Sequence, residues 1–184
     1  MVTPITKYAE TITEPNRIRY CLDKAFLEMT TGRPGPAWLA LALRNRYASG
    51  DLMAVEERSA PTMQRRKDAY PLVGAYAMRD GDRWSVFVVS RKLDGNHDGH
   101  DFGDGHTPVT LRLPFAKAAK IAVHKLTGDP RANNRKAMNI SIQSQDVPVA
   151  ALKDGAFAVN GQTGGGKGGL PPGSVYLYVF EAAK

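Results

Sequence analysis

The stretch Leu72–Ser90, LVGAYAMRDGDRWSVFVVS, decides the fold class. Two runs rich in Val, Ala, Tyr, Trp and Phe flank Asp80-Gly81-Asp82. β-Branched and aromatic side chains suit a pleated, half-buried surface. An Asp-Gly step supplies the positive φ that a tight hairpin turn needs. Leu72–Met78 and Trp84–Ser90 are therefore predicted to be paired antiparallel strands. Outward from this hairpin the period of two persists. Val109, Leu111 and Leu113 alternate with polar residues, and so do Lys120–Leu126 and Met138, Ile140 and Ile142. Ala156–Val159 reads as a short strand. Val175–Phe180 reads as a long one, with Val175, Leu177 and Val179 on one face and Tyr176, Tyr178 and Phe180 on the other. Strands at this spacing predict a mainly β chain, an antiparallel β-sandwich of jelly-roll-like form.

Toward the N-terminus the period changes. Thr13 can cap a helix, Pro15 suits its first turn and Gly32 stops it. Ile18, Cys21, Leu22, Ala25, Phe26 and Met29 recur at steps of three and four, an amphipathic stripe. Gly32-Arg33-Pro34-Gly35-Pro36 is a turn, and Ala37–Leu43 follows as a buried strand or a second short helix. The expected organisation is a helix–turn–strand appendage over residues 1–44 and a sandwich domain over 45–184. Asn45–Met63, where the two join, has neither period.

With 184 residues the chain holds one domain, or one domain and an appendage. Hydrophobic residues make up 42% and charged residues 23%, which excludes wholesale disorder. The longest apolar run, Ala37–Leu43, is far short of the ~20 residues of a membrane helix. Cys21 is the only cysteine, so an internal disulfide and a thiolate metal site are excluded. The net charge of +7 permits anionic partners. Its densest cluster, Arg65-Arg66-Lys67, has no aromatic stripe beside it, which favours a solvated surface over a nucleic-acid face. MVTPITKYAE lacks the basic and apolar regions of a signal peptide. The expectation is no nucleic acid, no membrane and no signal peptide, with the compartment otherwise open and cytoplasmic as expressed.

Two resemblances divide the chain. ITKYAETITEPNRIRYCLDKAFLEMTTGRPGPAWL resembles the pyrimidine-binding domain of thiamine-diphosphate enzymes of the acetolactate-synthase type, over about residues 3–39. That resemblance implies a helix leading through the GRPGP turn into a strand. The family's catalytic glutamate lies upstream of the matched segment. NRYASGDLMAVE, YPLVGAYAMRDGDRWSVFVVSRKLDG, VHKLTGDPRANN and LPPGSVYLYVFE are similar to the C-terminal β-sandwich of arabinofuranosidase-like glycoside hydrolases, over roughly Asn45–Lys184. In that family the sandwich follows a catalytic (β/α)₈ barrel, where the paired carboxylates sit. The chain thus looks like a splice of two unrelated fragments.

The strongest chemical signal is the loop Leu93–Thr107, LDGNHDGHDFGDGHT. His97, His100 and His106 fall within ten residues, interleaved with Asp94, Asp98, Asp101 and Asp104. Asp94-x-Asn96-x-Asp98-Gly99 matches the opening of a calcium loop, but position twelve is Gly105 rather than a bidentate Glu. Three imidazoles with an aspartate instead suit zinc or another transition ion. The candidate metal set is His97, Asp98, His100, Asp101, Asp104 and His106, against the plainer reading of a solvated turn.

Other motifs fail on context. Gly103-Asp104-Gly105 and Asn133-Asn134 have the spacing of a thiamine-diphosphate magnesium motif, but strand-like residues lie between them. Gly161-x₄-Gly166-Lys167 lacks the Ser or Thr and the helix of a phosphate-binding loop. Cys21 lies on an apolar stripe and reads as a buried thiol. His124, between Ala122 and Leu126, reads as a packed strand residue.

Two functions are expected from this. The first is a metal-dependent hydrolase of an ester or phosphate ester, whose ion lowers the pKa of bound water; it is neither a glycosidase nor a thiamine-diphosphate enzyme. The alternative is a non-catalytic, calcium-stabilised accessory module that binds carbohydrate. The expected partner is a small anionic ester or an oligosaccharide. Orphaned apolar faces on residues 1–44 predict a homodimer.

Overall fold

The fold comes from a computed structural model, which describes residues 36–65, 68–92, 96–97, 100–101, 105–127, 140–159 and 168–183. The described elements begin with helix α1 (Pro36–Tyr47), then β1 (Asp51–Met53), β2 (Thr62–Arg65), β3 (Asp68–Pro71), β4 (Val73–Asp80) and β5 (Arg83–Ser90). They continue with β6 (Asn96–His97), β7 (His100–Asp101), β8 (Thr110–Arg112), β9 (Ala118–Thr127) and β10 (Ser141–Val147). A 3₁₀ turn (Val149–Ala151), β11 (Leu152–Lys153), β12 (Ala156–Ala158) and β13 (Val175–Ala182) complete the order.

The predicted hairpin forms. β4 and β5 pair antiparallel from Val73↔Ser90 to Asp80↔Arg83, and Gly81 turns with a φ of 59°. This hairpin sits inside a six-stranded antiparallel sheet of order β1-β4-β5-β13-β9-β10. A three-stranded sheet of order β11-β12-β8 lies over one of its faces. The protein is mainly β, an antiparallel sandwich with one short helix at the N-terminal end of its described part.

β13 explains how the layers hold together. Its alternation is real, but both of its faces are buried, because the strand is central in the sheet. Tyr176, Tyr178 and Phe180 enter the inter-sheet core with Leu111, Leu152, Phe157, Val159 and Leu170. Phe157 meets Tyr178 and Phe180 edge-on, with ring centroids 4.9 and 5.2 Å apart. Leu177 and Val179 face the other way and pack with Leu43 and Ala48, beside Leu126 and Ile140.

Leu43 belongs to α1, and here the strand option for Ala37–Leu43 is corrected: the segment is helical. Ala and Leu are among the best helix formers, and no β-branched residue competes. Pro36 opens the helix, where its missing N–H costs nothing. Leu39 and Leu43, four residues apart, share the sheet-facing stripe, while Leu41 is exposed. The helix runs past residue 44 to Tyr47, so it belongs to the packing of the sandwich. The preceding helix expected around Ile18–Met29 lies outside the described residues.

Candidate functional site

The two sheets differ in width, and that difference makes a cleft. The three-stranded sheet covers only part of the face it packs on. On the β1, β4 and β5 side the face is bounded by residues 54–61 and by the strip 107–114, leaving a cleft of about 860 Å³. This lies in the size range of small-molecule sites. Its floor carries Ala75, Ala77, Trp84 and Val86. These alternate residues of β4 and β5 point to one side because strand side chains alternate.

Charged residues rim the apolar floor. β1 pairs with β4 only at Ala77–Arg79, so the edge of β4 is open at Ala75. The Ala75 N–H donates instead to Glu57 Oε1 at 2.8 Å, so a side chain replaces the missing strand. Arg58 donates two hydrogen bonds to Glu56, at 2.9 and 3.0 Å, on the exposed lip. Trp84 is half-buried. The Arg79 guanidinium lies 5.2 Å from its ring centroid, and the ring of Phe115 lies 6.0 Å away at a tilt. Arg79 is in turn fixed by donating to the Gly81 carbonyl at 2.9 Å. The result is an indole platform beside carboxylate and guanidinium groups. Such a platform takes an apolar face, and its rim takes hydroxyls.

The sequence missed this site. Residues 54–61 belong to the join that has no period, and Trp84 read as an ordinary strand residue. The one available signal was Glu56-Glu57-Arg58 next to Pro61, charges clustered in an aperiodic stretch before a strand.

The candidate metal residues are placed as follows. β6 and β7 form a two-stranded pair, with His97 opposite His100 and Asn96 opposite Asp101. His106 is half-buried next to Thr107, which bridges to Leu170. Asp98 and Asp104 lie outside the described residues, as do both asparagines of the thiamine-diphosphate-like spacing and the glycines 161–166. Among the described residues no group of three or more His, Cys, Asp or Glu could hold a metal ion. No described helix is long and apolar enough to cross a membrane.

His124, on the opposite face of the sheet, is a packed strand residue. It is buried, stacks on Tyr47 and shares a 2.8 Å hydrogen bond with Ser144 through Nδ1. Burial, then the nearby Arg83 guanidinium, lower its pKa from the ordinary value, and Asp146 pulls the other way. Burial also lowers the pKa of Lys125 and raises that of Tyr176. These two lie opposite one another on neighbouring strands, with the ammonium 5.3 Å from the phenol ring centroid.

No protein-family model and no curated protein matches the chain. Solved structures do share its fold. One is an arabinofuranosidase, with a TM-score of 0.56 and 18% identity over 80% of this chain and 29% of that one. Another is a family 51 alpha-L-arabinofuranosidase from Bifidobacterium longum, with a TM-score of 0.50 and 19% identity over 81% of this chain and 25% of that one. The β-sandwich is the shared feature. The chain spans under a third of either enzyme, and identities this low speak for the fold alone.

The sandwich resemblance of residues 45–184 is thereby supported, while the thiamine-diphosphate resemblance falls almost wholly outside the described residues. Two functional expectations are corrected. Metal-dependent hydrolysis of an ester or phosphate ester, with zinc, fails: the described residues hold no metal-binding group, and the structural neighbours are glycoside hydrolases. The exclusion of a glycosidase also falls, because the solved structures that share this sandwich are glycosidases.

Proposed function

We propose that this chain is a carbohydrate-associated accessory module whose cleft holds an oligosaccharide. The observation that carries this reading is the cleft itself, with Trp84 on its floor and Glu56, Glu57 and Arg58 on its lip. A pyranose or furanose ring offers a C–H face to an indole and hydroxyls to charged side chains, a combination that apolar ligands and simple anions do not use. Fold relatives that are arabinofuranosidases make arabinan-derived and xylan-derived oligosaccharides the first ligands to try.

The test is calorimetric titration of the full chain with arabino- and xylo-oligosaccharides, repeated on Trp84→Ala. Losing the aromatic platform should weaken binding by roughly two- to tenfold, taking about 0.5–1.5 kcal/mol, the range for aromatic pairs, as the order of magnitude of a stacking contact. Arg58→Ala should weaken it less, because its ion pair with Glu56 is exposed. Equal binding by parent and Trp84→Ala would remove the cleft from the account. Absence of binding to every oligosaccharide would remove the carbohydrate reading.

A further inference from the structure

The lip of the cleft is a single strap of chain, residues 54–61, fixed at its two ends. At one end Met53 of β1 lies opposite Ala77. At the other the Pro61 carbonyl accepts from the Leu72 N–H at 2.7 Å. Between these anchors the strap is neither helix nor strand, and residues 54–59 are exposed. All of it lines the cleft. Val55, an apolar side chain in that lining, is 41% exposed.

The strap is longer than its span. Leu72 and Ala77 are five residues apart, at most about 17 Å at ~3.3 Å per residue. Met53 and Pro61 are eight residues apart and reach about 26 Å when extended. The excess of about 9 Å lets the middle of the strap lift with both anchors intact.

One bond holds that middle down. Among the described residues, a single hydrogen bond joins 54–60 to the rest of the protein, the Ala75 N–H donating to Glu57 Oε1 at 2.8 Å. Glu57 is midway between Met53 and Pro61. Arg58 pairs within the strap, with Glu56, and so does not tie it to the sheet. Ser59 follows with a φ of 56°. Non-glycine residues rarely adopt that conformation, and it clusters at ligand clamps and switch regions.

We propose that residues 54–61 are a strap that opens and closes over the ligand of the cleft, and that Glu57 is the latch that holds it closed on the Ala75 N–H. Water replaces an exposed hydrogen bond at small net cost. The strap therefore opens far more readily than the paired strands beneath it. Open, it admits a ring to the floor at Ala75, Ala77 and Trp84. Closed, it brings Val55 against the ligand's apolar face and slows release. The closure rests on the carbohydrate reading of the cleft; the latch does not. Glu57 is a positioning residue here, because it acts by placing the strap.

Arg58 reports on the strap, since trypsin cuts after arginine where the chain opens enough to enter the protease. The full chain is digested sparingly, and the product ending at Arg58 is timed by mass for the parent, Glu57→Ala and Glu57→Gln. Cleavage follows the open population when opening is fast. Glutamine keeps an oxygen that accepts the Ala75 N–H, and both variants lack the charge beside the cut. Glu57→Ala should therefore be cut at Arg58 at least about fivefold faster than Glu57→Gln, from the loss of one hydrogen bond. Their urea midpoints should agree, because Glu57 is exposed. Equal cleavage rates in the two variants would overturn the latch.

The second arm adds arabino- or xylo-oligosaccharide to the parent. One that binds in calorimetry should slow the cut at Arg58 several-fold. Binding that leaves this rate unchanged would overturn the closure and leave the carbohydrate reading standing. If no oligosaccharide binds, the carbohydrate reading and the closure fall together, and the rates of the two variants without sugar still decide the latch.

Discussion

The ring of Tyr47 stacks on that of His124, with centroids 3.6 Å apart and planes 14° from parallel. Tyr47 is the last residue of α1 and His124 lies within β9, so the pair fastens the helix end to the sheet. Arg83 adds a second tie by donating to the Tyr47 carbonyl at 2.9 Å. The arrangement suits a neutral imidazole. Charging it would place a cation in a desolvated site near the Arg83 guanidinium, with Asp146 opposing these two effects.

A pH dependence follows from that lowered pKa. As pH falls, the unfolded chain takes up the His124 proton before the folded one does. Stability is therefore complete above about pH 6.5, the ordinary histidine value, and falls as pH drops from there through the folded pKa. Urea midpoints measured between pH 8 and pH 5 should show this acid-side loss. His124→Gln should flatten it, because no proton is then taken up in that window. An unchanged slope in His124→Gln would assign the loss to other groups.

Ser85 gives the opposite kind of prediction. Its hydroxyl is fully buried on β5, in register with Val179 and Met78, and has no hydrogen-bond partner among the described residues. A desolvated, unpaired hydroxyl is a cost that alanine removes without leaving a large cavity. Ser85→Ala should stabilise the protein by about 1 kcal/mol, read as a higher urea midpoint with an unchanged slope. A destabilised variant would mean that the hydroxyl has a partner.

The strands were legible in the sequence because they are short, alternating and punctuated. Val73–Ser90 shows Asp-Gly at the turn, and the Tyr/Phe and Val/Leu alternation of β13 marks two faces. Sequence alone does not show that both faces of β13 are buried, since that depends on which strands flank it. α1 was ambiguous because a run of Ala and Leu as short as Ala37–Leu43 fits a buried strand or a helix equally well by period. The cleft was illegible for a different reason. It is a difference in width between two sheets, and its lining joins residues 54–61 to 107–114 through the fold. The histidines of 93–107 drew attention because they are close in sequence. Asp98 and Asp104 of that candidate set lie outside the described residues.

Gly50 tests the connection between helix and sheet. It has a φ of +91°, and a Cβ there would lie 1.9 Å from the Arg79 carbonyl oxygen. The neighbour is backbone within the β1–β4 pair and cannot step aside. Gly50→Ala should cost at least about 2 kcal/mol, from the conformation and the contact together. Gly81→Ala is the control. Its φ is +59° and nothing lies within 4 Å of the added carbon, so only the backbone preference is lost, about 1 kcal/mol. Equal costs in thermal or urea unfolding would show that the Arg79 contact does not matter.

Phe157 links stability to the cleft. It is 2% exposed and stands on the central strand of the small sheet, its ring edge-on to both Tyr178 and Phe180. Phe157→Ala would remove the largest side chain that the small sheet inserts between the layers, at a cost of about 3–5 kcal/mol. Against a total stability of about 5–15 kcal/mol that leaves a folded but weakened sandwich, or none. Where it folds, the effect should reach the cleft, because β8 pairs with the Phe157 strand and forms part of the cleft wall. Oligosaccharide binding should therefore weaken in Phe157→Ala although Phe157 does not line the cleft. Ser85→Ala, on the other face of the sheet, should leave binding unchanged. Titration of both variants at a temperature where each is folded checks this. Full-strength binding by a destabilised Phe157→Ala would show that the cleft keeps its shape without the inter-sheet aromatic contact.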